Sequence, residues 1–208
     1  MAHLVDGVLS AEVVVGGAVL AVAGLARGLR GLDPERVPHA GVLSAAFFVA
    51  SLVHVPIGPT SVHLILNGLL GMVLGWAAVP AIFVALVLQA VFFGYGGITV
   101  LGVNTVVMAA PALVCSFAFA PRIGKGSPFV WGAAAGASAV AMTCALVGLA
   151  LALSGREFVL AAKLIFVAHL PVMIVEGAIT GAAAALLHKV KPEVLTAAPP
   201  LSLRAPDG

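Results

Sequence analysis

The chain has 208 residues, of which 62% are hydrophobic and 9% charged, with a formal net charge of +2 and a mean hydropathy of +1.20. Soluble domains carry about 25% charged residues, so this composition excludes a water-soluble fold and makes the bilayer the main solvent. The small net charge, with no basic stripe interleaved with aromatics, argues against a nucleic-acid partner.

Seven apolar segments follow in chain order: Val8–Leu29, Ala40–Val55, Thr60–Trp76, Ala77–Phe93, Thr99–Ala120, Phe129–Leu153 and Phe158–Leu187. A spanning helix needs about 20 residues, so the second to fourth segments are short. They are also punctuated by Pro56, Gly58, Pro59, Gly68, Gly71, Gly75 and Pro80. Non-helical backbone at membrane depth is tolerated only against protein or a wet cavity, which marks this region for a site. The expected fold is all-α: a polytopic membrane helix bundle of about seven transmembrane helices. It forms one domain over residues 1–193, and the Pro- and Ala-rich tail, 194–208, is expected to be a disordered cytoplasmic extension.

Charge sets the expected orientation. Eight of the ten basic residues fall on one side of a seven-span arrangement: Arg27, Arg30, Arg36, Arg122, Lys125, Lys189, Lys191 and Arg204. Lys- and Arg-rich loops are cytoplasmic, so the N-terminus is expected outside, in the cytoplasmic (inner) membrane of the cell. Met1 to Gly7 holds His3 and Asp6 but no Lys or Arg, unlike the basic start of a signal peptide, and is expected to stay on the protein. Cys115 and Cys144 lie in apolar runs without a CxxC partner and read as packing residues. The small residues at Gly132–Gly136 and Gly177–Gly181 suit close helix packing in lipid.

Polar residues within a membrane are costly and usually functional. Here they are His54, His63, Asn67, Gln89, Asn104, Lys163, His169 and Glu176. His63 ends the block His54-Val-Pro-Ile-Gly-Pro-Thr-Ser-Val-His63. Pro59 is expected to start a helix capped by Thr60 or Ser61, with His63 in its first turn. A neutral imidazole is a common transition-metal ligand; the plainer reading is a packing histidine bonded to a backbone carbonyl. His3 adds a second nitrogen source. A free α-amine, a deprotonated amide and a nearby imidazole form fused chelate rings that favour tetragonal or square-planar ions. If Met1 is removed, Ala2-His3 offers three nitrogens and His63 could supply the fourth. If Met1 is retained, its amine opens a four-nitrogen plane that closes without His63. The plainer reading of His3 is a frayed terminus.

Three stretches resemble the CbiM/NikM family, the substrate-binding subunits of energy-coupling-factor importers for cobalt and nickel. They are His3-Leu-Val-Asp-Gly7, the block ending at His63, and Phe92-Phe-Gly-Tyr-Gly-Gly-Ile-Thr-Val-Leu-Gly-Val-Asn104. A fourth, His169-Leu-Pro-Val-Met-Ile-Val-Glu-Gly177, is similar to a late segment of that family. The resemblance implies an N-terminus folded back into the bundle, binding metal through its amine, the following amide and a histidine. It implies a second histidine, which matches His63. Asp6, Gly94, Gly96, Gly97 and Asn104 then support the site, with Asn104 holding the glycine loop or the N-terminal segment. Two positions depart from the family pattern. Ala2 separates Met1 from His3, and Tyr95 stands where an acid is common.

The resemblance further implies an S subunit that captures Co2+, or alternatively Ni2+, as transported substrate, with no permanent cofactor. The cobalt branch looks closer, through Gly-Pro-Thr-Ser-Val-His63. No Walker sequence is present, so the chain is not expected to hydrolyse ATP, and the resemblance implies a transport subunit rather than an enzyme. Its ATPase and coupling transmembrane subunits would be other chains, and a small companion membrane protein would be separate. The rival from another class is an intramembrane serine protease with Ser138 and His169 as its dyad. It leaves His3 and the His63 block unexplained. A self-coupled secondary transporter would rely on Lys163 and Glu176 at mid-span. Glu176 is expected to serve structure or subunit contact rather than metal.

Overall fold

The structure is a computed structural model that describes residues 4–32, 34–57, 60–155 and 159–196. Among these the helices are α1 (Ala11–Arg30), α2 (Val37–Ala50), α3 (Asn67–Leu74), α4 (Ala78–Phe93), α5 (Leu101–Ala118), α6 (Pro128–Ser154), α7 (Val159–Val190) and α8 (Pro192–Thr196). One antiparallel pair, β1 (His54–Ile57) and β2 (Thr60–His63), joins α2 to α3. Five stretches are long and apolar enough to cross a bilayer: Ala11–Arg30, Asn67–Phe93, Leu101–Lys125, Pro128–Ser154 and Lys163–Val190.

Directions follow from the contacts. Gly17 of α1 abuts Val103, and Leu20, Gly24 and Arg27 share a groove of ≈ 420 Å³ with Thr105, Ala109 and Leu113. So α1 and α5 run the same way. α3 runs with them, because Asn67 bonds the Met108 carbonyl and Gly71 lies one turn further on against Ala112. α4 runs back: its start, Val79 and Pro80, meets Gly24 and Gly28 near the end of α1, and its end leads into the start of α5. Asn67–Phe93 is therefore two antiparallel helices, turned at Gly75, where φ is 56° and ψ −126°. That conformation is open to glycine at low cost.

The expectation of a span over Thr60–Trp76 needs correction. Thr60–His63 is a strand, and the helix starts only at Asn67. Pro56 and Pro59 explain it, since each lacks an N–H and pushes the residue before it out of the helical region. Val55, Ile57, Thr60 and Val62 are β-branched and suit a pleated strand. The register His54↔His63, Val55↔Val62, Pro56↔Ser61, Ile57↔Thr60 lets the short segment pair with itself.

The most extensive helix contact among the described residues is α6 against α7. The expected small-residue runs meet each other there: a Cβ on Gly136 would lie 2.7 Å from the Glu176 carbonyl oxygen, and one on Gly181 2.8 Å from that of Phe129. Without a hydrophobic force between helices in lipid, such backbone approach supplies the packing. Lipid-facing positions stay apolar, as at Val15, Val19 and Val22 of α1 or Leu160, Leu164 and Val167 of α7.

α6 returns from the end of α5, and α7 runs back against it, since Gly136 meets Glu176 while Gly181 meets Phe129. α1, α5 and α7 therefore run the same way, and Arg27, Arg30, Arg122, Lys125, Lys189 and Lys191 collect at one end. The guanidinium of Arg27 lies 5.4 Å from the Trp76 ring centre, and that of Arg122 5.7 Å from that of Trp131. Basic and aromatic residues thus share one interface belt. The expected tail starts too early at Val194. Within α8, Leu195 is 2% exposed and Val194 packs against the core, so the folded chain reaches at least Thr196. Residues 197–208 of that tail lie outside the described residues.

Candidate metal-capture site

At the end opposite the basic belt, the N-terminal segment lies across the start of α5. Leu4 is buried, and Asn104 holds it from both sides: the Leu4 N–H donates to Asn104 Oδ1 at 3.0 Å, and Asn104 Nδ2 donates to the Leu4 carbonyl at 3.0 Å. Two residues on, Asp6 Oδ1 accepts from the Thr99 hydroxyl, from the Thr99 N–H at 3.1 Å and from the Val100 N–H at 3.3 Å. These amides immediately precede α5, so the carboxylate meets unsatisfied donors and the positive end of the helix. The Thr99 hydroxyl, then the Val100 and Thr99 amides, hold the Asp6 carboxyl below the usual carboxylate range. The Ser10 N–H donates to Ser154 Oγ at 3.1 Å, fastening the segment to the end of α6.

The glycine loop fits around this segment. Gly94 ends α4 in the left-handed region at φ 65°, and Gly96 follows at φ 81°. Any side chain on Gly97 would run into the Asp6 carboxylate. Tyr95 stacks on Phe93 with ring centres 5.6 Å apart. Asp6 finds donors at Thr99 and Val100.

His63 ends β2 and is 1% exposed. Its Nδ1 lies 2.9 Å from the Leu64 carbonyl oxygen. Only an N–H can satisfy a carbonyl there, so Nδ1 carries the proton and Nε2 the lone pair, the form in which imidazole ligates metal. Beyond it the chain turns through Leu66, whose φ is 54°. Glu176 of α7, wholly buried, accepts the Ile65 N–H on Oε2 at 2.9 Å and the Leu66 N–H on Oε1. Asn67 then donates to the Met108 carbonyl and to Thr143 Oγ1, both at 3.0 Å.

The residues needed to close a metal plane from the N-terminal side, Met1, Ala2 and His3, lie outside the described residues. Among the described residues, no three His, Cys, Asp or Glu side chains gather into a metal cluster.

Residues 3–194 match the family profile CbiM, described as "Cobalt uptake substrate-specific transmembrane region". The chain belongs to the CbiM family. It is 44% identical over 198 residues to a "Putative metal transport protein" of Haemophilus influenzae, covering 93% of this chain and 96% of that one. It is 35% identical over 170 residues to the "Cobalt transport protein CbiM" of Sorangium cellulosum, covering 76% of each. A solved structure titled "Crystal Structure of an Truncated Transition metal Transporter" superposes with a TM-score of 0.72 at 28% identity, covering 90% of this chain and 98% of that one. This CbiM-family chain is thus a multi-pass membrane protein of a metal-uptake family.

The protease dyad does not form. His169 Nδ1 meets the Ile165 carbonyl at 2.7 Å, and its buried Nε2 has no hydrogen-bond partner. Ser138 lies near the level of Glu176, because Gly136 faces Glu176 and Thr180, whereas His169 lies about two turns before Glu176, nearer the start of α7. A nucleophile needs its base within hydrogen-bond reach. Sequence reading also missed Thr99, Ser154 and Thr143. Each is a small hydroxyl residue whose partner is over 70 positions away; Thr99 and Ser154 sit near helix ends, and Thr143, in the middle of α6, carries no local signal.

Proposed function

We propose that the chain is the substrate-capture subunit of an ATP-driven importer that takes up Co2+ from outside the cytoplasmic membrane. The observation that supports it best is the two-sided hold of Asn104 on Leu4. It fastens the residue next to His3 at the mouth of the bundle. The terminal amine, the following amide, His3 and His63 Nε2 are then the ligand set, and Asp6, Gly94, Gly96, Gly97 and Asn104 keep the terminal segment in place. The buried His63 ring, with its tautomer set by Leu64, is ready to accept metal without rearrangement.

The amine and the amide must both lose protons to metal, so capture weakens as pH falls below the ordinary amine range of about 7.7–8.0. A planar nitrogen set accepts Ni(II) as well as Co(II). The second reading, nickel capture, draws on the 45% identity over 82 residues to the "Fused nickel transport protein NikMN" of Rhodobacter capsulatus, of which this match covers 24%. Energy would come from separate ATPase and coupling membrane subunits.

The test is metal content of purified protein bearing extra residues before Met1. Loss of metal, with the bundle intact by circular dichroism, is expected. Metal at the wild-type ratio in the extended protein would overturn the N-terminal chelate. Competition between Co2+ and Ni2+ in cells carrying the complete importer decides the ion.

A further inference from the structure

We infer that Glu176 is the positioning residue for the His63 ligand: its carboxylate, set on α7, holds the backbone that follows His63 in the shape that presents the imidazole. This rests on the assignment of His63 as a metal ligand.

The geometry is specific. Ile65 and Leu66 are consecutive, and their N–H groups both point at one carboxylate, Oε2 taking the first at 2.9 Å and Oε1 the second. Successive amides beside a residue in the left-handed region form a concave anion seat, and Leu66 has φ 54°. Leucine occupies that region only where its surroundings enforce it. The enforcing contacts converge on the same few residues: Glu176 at 65 and 66, Asn67 on α5 and α6, and the Leu64 N–H reaching back to the Val53 carbonyl at 3.4 Å. His63 itself bonds the carbonyl of Leu64, whose peptide unit is completed by the Ile65 N–H. The peptide group that sets the imidazole tautomer is thus also the one that Glu176 grips. A shift of the carboxylate is transmitted to the ring through a single planar peptide.

A buried acidic group in a membrane is costly and persists where function holds it. Glu176 lies wholly buried, and both its oxygens are spent on two amides of the non-helical segment that leads out of His63. Glutamine is nearly the same size but offers one acceptor and an NH2 donor. In Glu176→Gln one amide of the pair would face a donor, and the seat would open without a change in volume.

The experiment uses the full chain in detergent, with Co2+ and Ni2+ as probes. Metal affinity is measured for wild type, Glu176→Gln, His63→Ala and the double variant, and amide exchange is followed in the 63–67 segment. Loss of an outer partner of a ligand typically weakens metal binding about 10- to 100-fold, and Glu176→Gln is expected to lose at least about 10-fold. Exchange should quicken at Ile65 and Leu66. The double variant should bind no more weakly than His63→Ala, because the two residues act through one nitrogen. An additive loss in the double variant, or wild-type affinity in Glu176→Gln, would overturn the inference. If His63→Ala binds as wild type does, the ligand assignment itself falls, which is a separate outcome. Should Glu176→Gln not be recovered from the membrane, Glu176→Asp decides: a shortened carboxylate should give an intermediate affinity, and unchanged affinity would overturn the role.

Discussion

Asn104 treats Leu4 as a neighbouring β-strand would. Its amide accepts the Leu4 N–H and donates to the Leu4 carbonyl, each at 3.0 Å, across 100 residues of sequence. A single side chain thereby satisfies both backbone groups of a buried residue at the start of the chain, where termini ordinarily fray.

Asn104→Ala should release that segment. Two buried backbone groups would lose partners, at about 1–3 kcal/mol each. We expect metal affinity to fall at least about 10-fold and proteolysis to begin within residues 4–10. Asn104→Asp keeps the acceptor and loses the donor, so it should fall between. Titration with Ni2+ and limited proteolysis of both variants read the result. Unchanged affinity in Asn104→Ala would separate the segment from metal capture.

Asp6 gives a pH prediction with a definite sign. Its carboxyl is held below the ordinary value of 3.8, first by the Thr99 hydroxyl and then by the Val100 and Thr99 amides. A depressed pKa contributes stability above the unfolded-state value, and that contribution is lost as pH falls through the folded-state value. The Asp6 hold is therefore complete from neutral pH down to about pH 4. Any loss of metal nearer neutrality is expected from the proposed amine and amide ligands instead. Asp6→Asn should leave the pH midpoint of binding unchanged while lowering affinity at every pH. A midpoint that moves with Asp6→Asn would contradict this.

Gly97 tests the glycine loop without touching a charge. A methyl group there would collide with the Asp6 carboxylate, whereas one on Gly124, in the turn after α5, meets nothing within 4 Å. Gly97→Ala should weaken metal binding and Gly124→Ala should not. Equal affinities in the two purified variants would mean that Asp6 can move aside at no consequence.

Gly71→Ala addresses the fold alone. Its Cβ would overlap the Ala112 carbonyl oxygen, at the point where α3 lies along α5. Forcing these backbones apart should destabilise the bundle by about 1–3 kcal/mol. Gly41→Ala, with open space around it, is the control. Thermal denaturation in detergent distinguishes them, and a matching melting temperature would argue against close α3–α5 contact.

Orientation is checked by labelling intact cells with a membrane-impermeant thiol reagent. Cys115 and Cys144 are buried, so introduced cysteines report cleanly. Ile98→Cys, 79% exposed between α4 and α5, should be modified from outside, and Lys125→Cys at the basic end should not. The reverse pattern would invert the topology.

The amino-acid sequence by itself determined the solvent and the class of this protein and which end carries its basic residues. These are additive properties: too few charges for water, apolar runs of membrane length, and basic residues gathered on one side. It also marked His63 and the glycine loop, because their motifs are contiguous. The tertiary structure decided what joins distant segments. Thr60–His63 is a strand because pairing with His54–Ile57 and two prolines outweigh the apolar helical pattern. Asn67–Phe93 is a hairpin because Gly75 turns and α3 finds its place beside α5. Leu4 with Asn104, Asp6 with Thr99, and Glu176 with Ile65 and Leu66 span 93 to 111 positions. A hydrogen bond at such separation leaves no periodicity in the chain, since its strength depends only on where folding brings the two groups.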